Sequence, residues 1–450
     1  MLRRLRVRCA NSSLARVGVW GAVVGFAALA LAAAGNLDTT YGTSGIVESL
    51  GQVGRPTALA GQSDGKALLG GARASGQSQT WRVERFLADG TPDTAYGTSG
   101  AVTLFGAGSG EELKDMAIDA ADRCVAVGVS NVAKGHGFTA TLTVVRLTTA
   151  GSLDTNFGSS GVVKLSTSSA TLSPQNSALA IQGDGKVVVT SAATVTAKGK
   201  STPATFVARL AANGSLDASF GSGGITIDSR ASAGMSVFAV ALQSSGHVVV
   251  GGRSGSTGCV VTRFLSNGST DNGFGVVTSA SENLEGMAVD VADRIVVTGN
   301  RSAGTNNGSP ALEGVIVRYD ANGALDTSFG TSGRTIVSTY ESQALETSAV
   351  FTAAGGIVVG MSADVTAGAG GETHDGTAAV RFLDDGQLDT SYGAGGVGTI
   401  VSLAGSGGFT WPVWTHGAAT ASDGSTLIGG RAANSGVVPL RWFIAKYQAN

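Results

Sequence analysis

The stretch "GALDTSFGTSGRT" (Gly323–Thr335) decides how this chain folds. It has one acid and one aromatic, and is otherwise mostly glycine and hydroxyl residues. Near-copies recur along the whole sequence. Aligned on the acid, they fall at Asp38, Asp93, Asp154, Asp217, Asp271, Asp326 and Asp389, with gaps of 55, 61, 63, 54, 55 and 63 residues. A period of about 60 residues marks a solenoid, a propeller or another array. One period, Ser177 to Gly224, distinguishes them. It reads "SALAIQ", the turn "GDGK", "VVVTSAA", a variable stretch, "TFVARLA", the turn "ANGS", the acidic motif and "GITID". Asp-Gly and Asn-Gly between apolar runs are hairpin signals, so the unit is four short antiparallel strands. Four such strands per unit, repeated in a ring, make a propeller blade.

The two ends of the chain test that reading. The first copy, "GNLDTTYGTSGIVESL", lacks the three strands that precede the motif elsewhere. The last repeat has them, in "GAATASDGSTLIGG" and "RWFIAKYQAN", but stops before an acidic motif. The fragments together make one blade. The expectation is an all-β, seven-bladed β-propeller of four-stranded blades over residues 35–450. It is closed by pairing the N-terminal strand with the C-terminal blade, which removes two exposed sheet edges.

Hairpin, "RL" or "RF", "NG" and "LDxxFGxxG" at this spacing resemble the delta-60 repeat of exported bacterial proteins. The resemblance covers essentially the whole chain after the leader and implies a β-propeller. It brings no established activity and no catalytic residue. Two copies depart from the pattern: Pro92 replaces the Leu in "TPDTAYG", and "STDNGFGVV" around Asp271 lacks both that Leu and the final Gly.

"LDxxFG" reads as a single helical turn, capped by the Asp side chain and ended by a left-handed Gly. The aromatics Tyr41, Tyr96, Phe157, Phe220, Phe274, Phe329 and Tyr392 are expected to wedge between blades, each burial being worth roughly 1.5–3 kcal/mol. Each Asp also lies eight residues after a basic residue, giving Arg85–Asp93, Arg146–Asp154, Arg209–Asp217, Arg263–Asp271, Arg318–Asp326 and Arg381–Asp389. Lys446 takes the basic place in the last blade, and its Asp is Asp38. A ring of partly buried ion pairs follows, with the last made between the two termini. One carboxylate per motif is too few for a Ca²⁺ loop.

Residues 1–34 read as a Sec-type signal peptide: five Arg and no acid, an apolar run, then Ala32-Ala33-Ala34 as a small-x-small cleavage site. The apolar run is near the minimum for a membrane span, so retention as an anchor is the alternative. Removing it leaves 25 basic against 32 acidic side chains, a net charge of −7. Such a balance argues against nucleic acid and anionic membranes. Cys124 and Cys259 sit in apolar strands of different repeats and read as buried thiols.

No catalytic constellation assembles. "GQSDG" (Gly61–Gly65) matches the nucleophile-elbow pattern but sits at a hairpin turn. His136, His247, His374 and His416 show no metal spacing, so no cofactor or metal is expected. Variation gathers in one set of connections, expected as long irregular loops at Ser130–Ala140, Ala193–Ala204, Arg301–Gly314 and Ser362–Gly376. Constant turns on one face and variable loops on the other are how scaffolds carry sites. On the variable side "GGFTWPVWTHG" holds Trp411, Trp414 and His416, a candidate platform for a sugar or aromatic ligand. Glu111, Glu112, Glu282 and Glu285 are candidates for a ring at the channel mouth. The expectation is a secreted, periplasmic or cell-surface monomer. It is a non-enzymatic binding module for a protein or glycan, with a propeller lyase or hydrolase as the alternative.

Overall fold

The computed structural model describes residues 34–49, 54–75, 78–106, 110–134, 137–230, 235–254, 258–279, 282–306, 309–342, 348–351, 356–366, 373–401, 403–404, 410–411, 413–432 and 441–449. The described residues form strands and turns, with no helix among them. The first blade comprises Gly54–Gly61, Ala67–Ser75, Ser78–Phe86 and Ala101–Leu104. The second is Glu112–Ile118, Cys124–Lys134, Gly137–Leu147 and Val162–Leu165. The third is Thr171–Ile181, Val187–Ala197, Lys200–Leu210 and Ile225–Asp228. The fourth is Met235–Leu242, Val248–Ser254, Cys259–Phe264 and Val276–Ser279, and the fifth is Glu282–Val289, Ile295–Asn306, Ser309–Tyr319 and Arg334–Ser342.

The closing blade is made from both ends of the chain. Val413–Thr420, Thr426–Ala432 and Arg441–Tyr447 pair in order, and Ile46–Glu48 adds as the fourth strand with Ile46 opposite Ala445. First strands of successive sheets pack on one another around the axis, and Ser348–Phe351 links the fifth blade to the closing one. Apolar side chains from facing sheets fill each seam. Val125, Val127, Leu142 and Val144 of the second blade, for example, meet Val187, Val189 and Phe206 of the third.

The count of seven four-stranded blades is corrected to six: the structure is a six-bladed propeller in complete four-stranded blades. The sheet between the fifth and closing blades has only three strands, Ser348–Phe351, Ile357–Thr366 and Thr373–Phe382. Its would-be fourth strand touches it only at the isolated bridges Val380↔Val397 and Thr377↔Val401. Three residues on one side therefore span four on the other. The surplus is taken up near Gly398, where an added Cβ would meet the Gly35 carbonyl at 2.8 Å and the Tyr447 ring at 3.0 Å. Thr399 N–H donates to Gly35 O, and the Tyr447 hydroxyl donates to Thr399 O. The segment is spent on the chain junction instead of on a ladder.

The long connections are not irregular loops in their described parts. They are hairpin arms that continue the ladder outward. Ala193↔Ala204 runs on to Ala197↔Lys200 across a turn with Lys198 at φ 52° and Gly199 at φ 76°. Ser130↔Thr141, Arg301↔Glu313 and Ser362↔Thr377 begin similar arms. Once two strands are paired, continuing the ladder satisfies every backbone group that a loose loop would have to hydrate.

The hairpin glycines follow from packing. Gly214 has φ 85°, and a Cβ there would lie 2.6 Å from Gly158 N and 3.0 Å from the Phe157 ring of the preceding blade. Gly183 has open space around it. Gly214→Ala is expected to cost more than about 1 kcal/mol, and Gly183→Ala to stay within about 0.5 kcal/mol of wild type. Urea unfolding of the two variants checks this.

Candidate functional site

The acidic motif folds as a tight turn, which corrects the helical reading. The Asp93 Oδ1 accepts from Ala95 N–H at 3.2 Å, and the equivalent bonds in the other six copies span 2.9–3.1 Å. The aromatic N–H then donates back to the Asp carbonyl, as from Tyr96 to Asp93 at 2.9 Å. A helix does not continue because the next Gly turns left-handed, with φ 54° at Gly97. Its N–H leaves for the neighbouring sheet. Gly97 donates to Ala150 O at 2.9 Å, and Gly158, Gly221 and Gly330 donate to Asn213, Asn267 and Asp385 at 2.7 Å. In the divergent fifth copy, which belongs to the fourth blade, Gly275 turns back to Asp271 O at 3.2 Å.

One basic side chain organises each joint. Nε of Arg85, Arg146, Arg209, Arg263, Arg318 and Arg381 donates to Oδ2 of Asp93, Asp154, Asp217, Asp271, Asp326 and Asp389 at 2.7–2.9 Å. The same guanidinium groups lie over the motif rings at 4.2–4.7 Å. In five of them Nη1 reaches a carbonyl of the next sheet: Thr149, Ala212, Ser266, Ala321 and Asp384. Lys446 is 3.2 Å from Asp38 and 5.7 Å from the Tyr41 ring, and it also pairs with Asp423 at 2.8 Å. These acids are committed to the scaffold.

A feature the sequence reading missed lies in the first strands. Every four-stranded blade has a register shift there, at Thr57, Lys114, residues 174–176, Phe238, Glu285 and His416. Such bulges re-aim side chains at a sheet edge. The sequence signal is a small residue opposite: Gly71, Gly128, Ala192, Gly252, Gly299 and Gly430. A Cβ on Gly128 would come within 2.2 Å of Glu112 O. Several bulges carry inter-blade contacts. Thr57 donates to Leu113 O at 2.6 Å, and Asp115 accepts from Leu179 N–H at 2.9 Å. Burial raises the Asp115 pKa to about 6 against those bonds.

The four glutamates do not form a free acidic ring. Glu111 is buried and accepts from Gly106 and Asn131 N–H, and Glu112 pairs with Lys114 at 2.6 Å. Glu282 pairs with Arg334 at 2.8 Å, and Glu285 pairs with Arg253 of the fourth blade. Ser63 of "GQSDG" bonds Asp122 of the next blade through both N–H and hydroxyl, a joint between two hairpin turns. Burial pushes the Cys124 and Cys259 thiols up to about 12. His247 occupies a hairpin turn, His136 lies outside the described residues, and only the backbone of His374 is described. No group of three His, Cys, Asp or Glu among the described residues stands close enough to hold a metal ion.

Trp411 lies in a two-stranded ribbon opposite Leu403, and Trp414 lies in the first strand of the closing blade opposite Arg431. Their side chains lie outside the described residues. His416 is the half-buried bulge residue of that strand.

Residues 62–96, 182–220, 243–274 and 293–329 match the family described as "Domain of unknown function (DUF5122) beta-propeller". Each segment runs from about the first hairpin turn to the motif aromatic. The match supports a β-propeller repeat without carrying the delta-60 name. No curated protein matches the sequence. Among solved structures, polysaccharide lyase Uly1 is similar at 8% identity and TM-score 0.47, covering 89% of this chain and 98% of its own. Chaetomium thermophilum Sqt1 is similar at 11% and 0.44, covering 90% and 97%. A mutant of NanB sialidase from Streptococcus pneumoniae is similar at 9% and 0.41, covering 88% and 70%.

Three tests follow from the joint. Among the described residues Arg318 is the only cation paired with Asp326, whereas Asp154 keeps Arg123 at 3.1 Å when Arg146 is removed. Arg318→Met is therefore expected to cost about 3–5 kcal/mol in urea unfolding, and Arg146→Met less. The hydroxyls of Tyr41, Tyr96 and Tyr392 are buried without a partner, where four copies have Phe. Tyr96→Phe is expected to be neutral or to stabilise by up to about 1 kcal/mol. In Asp217 the Ser219 hydroxyl and then Arg209 outweigh burial and lower the pKa to about 2. Burial is likewise outweighed in Asp38, Asp154, Asp271, Asp326 and Asp389, which are also lowered. A depressed folded pKa gives stability that is present above the unfolded value of about 3.9 and lost below it. Thermal melts are expected to hold from neutral pH down to about 4 and to fall steeply toward about 2.

Proposed function

We propose that this chain is an exported, non-enzymatic β-propeller that serves as a binding or interaction module at the cell envelope or outside it. The contacting face is the one that carries the hairpin arms. The observation behind this is the contrast between the two faces. On the constant face the acids, hairpin carbonyls and turn hydroxyls bond to the neighbouring sheet, as Ser244 does to Asp293. That leaves this face little chemistry for a ligand. The arms on the opposite face differ in length and sequence from blade to blade, and binding sites on a rigid scaffold concentrate in such segments. Trp411, Trp414 and His416 belong to the closing-blade part of that face and are proposed as its contact residues. A glycan or a protein is the proposed partner, and no cofactor is required.

A glycan array and pull-downs with the full chain test the proposal. Trp411→Ala, Trp414→Ala and a third-blade arm shortened between Val195 and Thr202 are expected to weaken binding at least tenfold with the melting temperature kept. Unchanged binding in all three variants would remove the assignment of this face.

A further inference from the structure

Asn-Gly pairs occur in the sequence at Asn213, Asn267, Asn272, Asn307 and Asn322. Such a pair is chemically labile, because a glycine carries no side chain to shield its nitrogen from the asparagine Cγ. Asn307 lies outside the described residues. Asn213, Asn267 and Asn322 hold the same place in the third, fourth and fifth blades, the turn between the third and fourth strands. In the third and fourth blades two kinds of bond pin that asparagine. Its Oδ1 accepts from the N–H two residues on, Ser215 at 3.1 Å and Ser269 at 3.0 Å, an Asx turn. Its carbonyl accepts from the motif glycine of the preceding blade, Gly158 or Gly221, at 2.7 Å.

Asn322 lacks both. Asp320 stands where the other turns have Ala211 and Leu265, and its Oδ1 takes the Ala324 N–H at 2.9 Å as well as the Asn322 N–H at 2.8 Å. Ala324 replaces the serine, so no hydroxyl makes up for the lost bond. Gly275 turns back to Asp271 O instead of crossing to the fifth blade. Among the described residues nothing donates to the Asn322 side chain or carbonyl, and the residue is exposed. The bond inside the turn is also long: Gly323 N–H reaches Asp320 O at 3.1 Å, against 2.8 Å for Gly214 and Gly268 in theirs. Asn272 is protected in another way, since Gly273 N–H donates at 2.9 Å to the Asp271 carboxylate that Arg263 holds.

We infer that Asn322 is a site of spontaneous covalent modification with water as its only co-reactant. When the turn opens locally, the Gly323 nitrogen gives up its proton and attacks Asn322 Cγ. The new C–N bond closes a five-membered succinimide, and the side-chain amide nitrogen leaves as ammonia with that proton. Water then adds to either ring carbonyl and breaks its bond to nitrogen, leaving aspartate or isoaspartate. The attack requires the turn to rotate out of its folded geometry, so the bonds that pin Asn213 and Asn267 slow it there. The product bears on the joint between the fourth and fifth blades. Arg263 Nη1 and Gln243 Nε2 both bond the Ala321 carbonyl, in the peptide that leads into Asn322. Isoaspartate adds one carbon to the main chain beside that carbonyl, so the fold carries a slow timer on one joint.

Peptide mapping by mass spectrometry of the full chain, aged in mildly alkaline buffer, tests the inference. The folded protein is expected to lose the Asn322 amide at least tenfold faster than those of Asn213 and Asn267, and the three rates are expected to converge when the chain is aged in urea. Asp320→Leu combined with Ala324→Ser rebuilds the fourth-blade turn and is expected to slow the loss at Asn322 at least threefold. The isoaspartate-bearing fraction is expected to melt below fresh protein. Equal rates at the three sites in the folded chain, an unchanged ratio in urea, or a wild-type rate in the double variant overturns the site. An aged fraction that melts with the fresh protein overturns the timer on the joint.

Discussion

Everything in this fold depends on one guanidinium per sheet held at the joint with the next. Arg209 shows all its parts: Nε on Asp217 at 2.8 Å, the Phe220 ring beneath at 4.7 Å, and Nη1 on Ser266 O of the following blade at 2.6 Å. The carboxylate neutralises the charge, the ring desolvates it, and the remaining N–H groups are spent on the neighbour. A buried ion pair by itself adds little net stability because desolvation opposes the attraction. Here the pair does a different task. It fixes the angle at which a turn of one blade presents its Gly N–H to a hairpin carbonyl of the next, so each sheet sets the position of its successor.

That joint was legible in the sequence because it is local. The eight-residue spacing from Arg to Asp spans one hairpin, and both residues recur with the period. Where sequence reading failed, the deciding partner lay in another sheet. "LDTSFG" has the cap and the glycine of a helical turn, but the Gly330 N–H goes to Asp385 O, and no nearby sequence shows that. The three-stranded sheet had a motif as good as its neighbours'. Its fourth strand was lost to Gly398 and to a junction formed by the far end of the chain. The bulges left only a trace, a glycine in the second strand, which was legible once the ladder on the other side was known.

The candidate site divides in the same way. Trp411, Trp414 and His416 stood out by composition within one short segment. Glu111, Glu112, Glu282 and Glu285 stood out as acids in the connections, but each is taken by a partner that only the fold supplies, Arg253 of the preceding blade in the case of Glu285.

Circular closure reuses the joint with substituted parts. Gly35 takes the place of a hairpin glycine: its φ is 81°, and a Cβ on it would meet Gly393 N at 2.6 Å and the Tyr392 ring at 2.9 Å. The carbonyl just before it, on Ala34, accepts from Gly393 N–H at 2.7 Å, as Asn213 O does from Gly158. The two chain ends therefore rebuild a hairpin that the sequence has cut, with Gly35 N–H on Gln448 O at 3.2 Å and Gln448 N–H on Asn36 O at 2.9 Å. Lys446, lacking a planar fork, cannot imitate the arginine fully, and Asp423 supplies it with a second carboxylate at 2.8 Å. Ala34 is the last residue of the segment that reads as a leader. A chain cut after it would begin at Gly35 without that carbonyl, with a charged amine in place of the amide facing Gln448 O. The Ala34–Gly35 peptide unit is thus itself one of the parts of the closure.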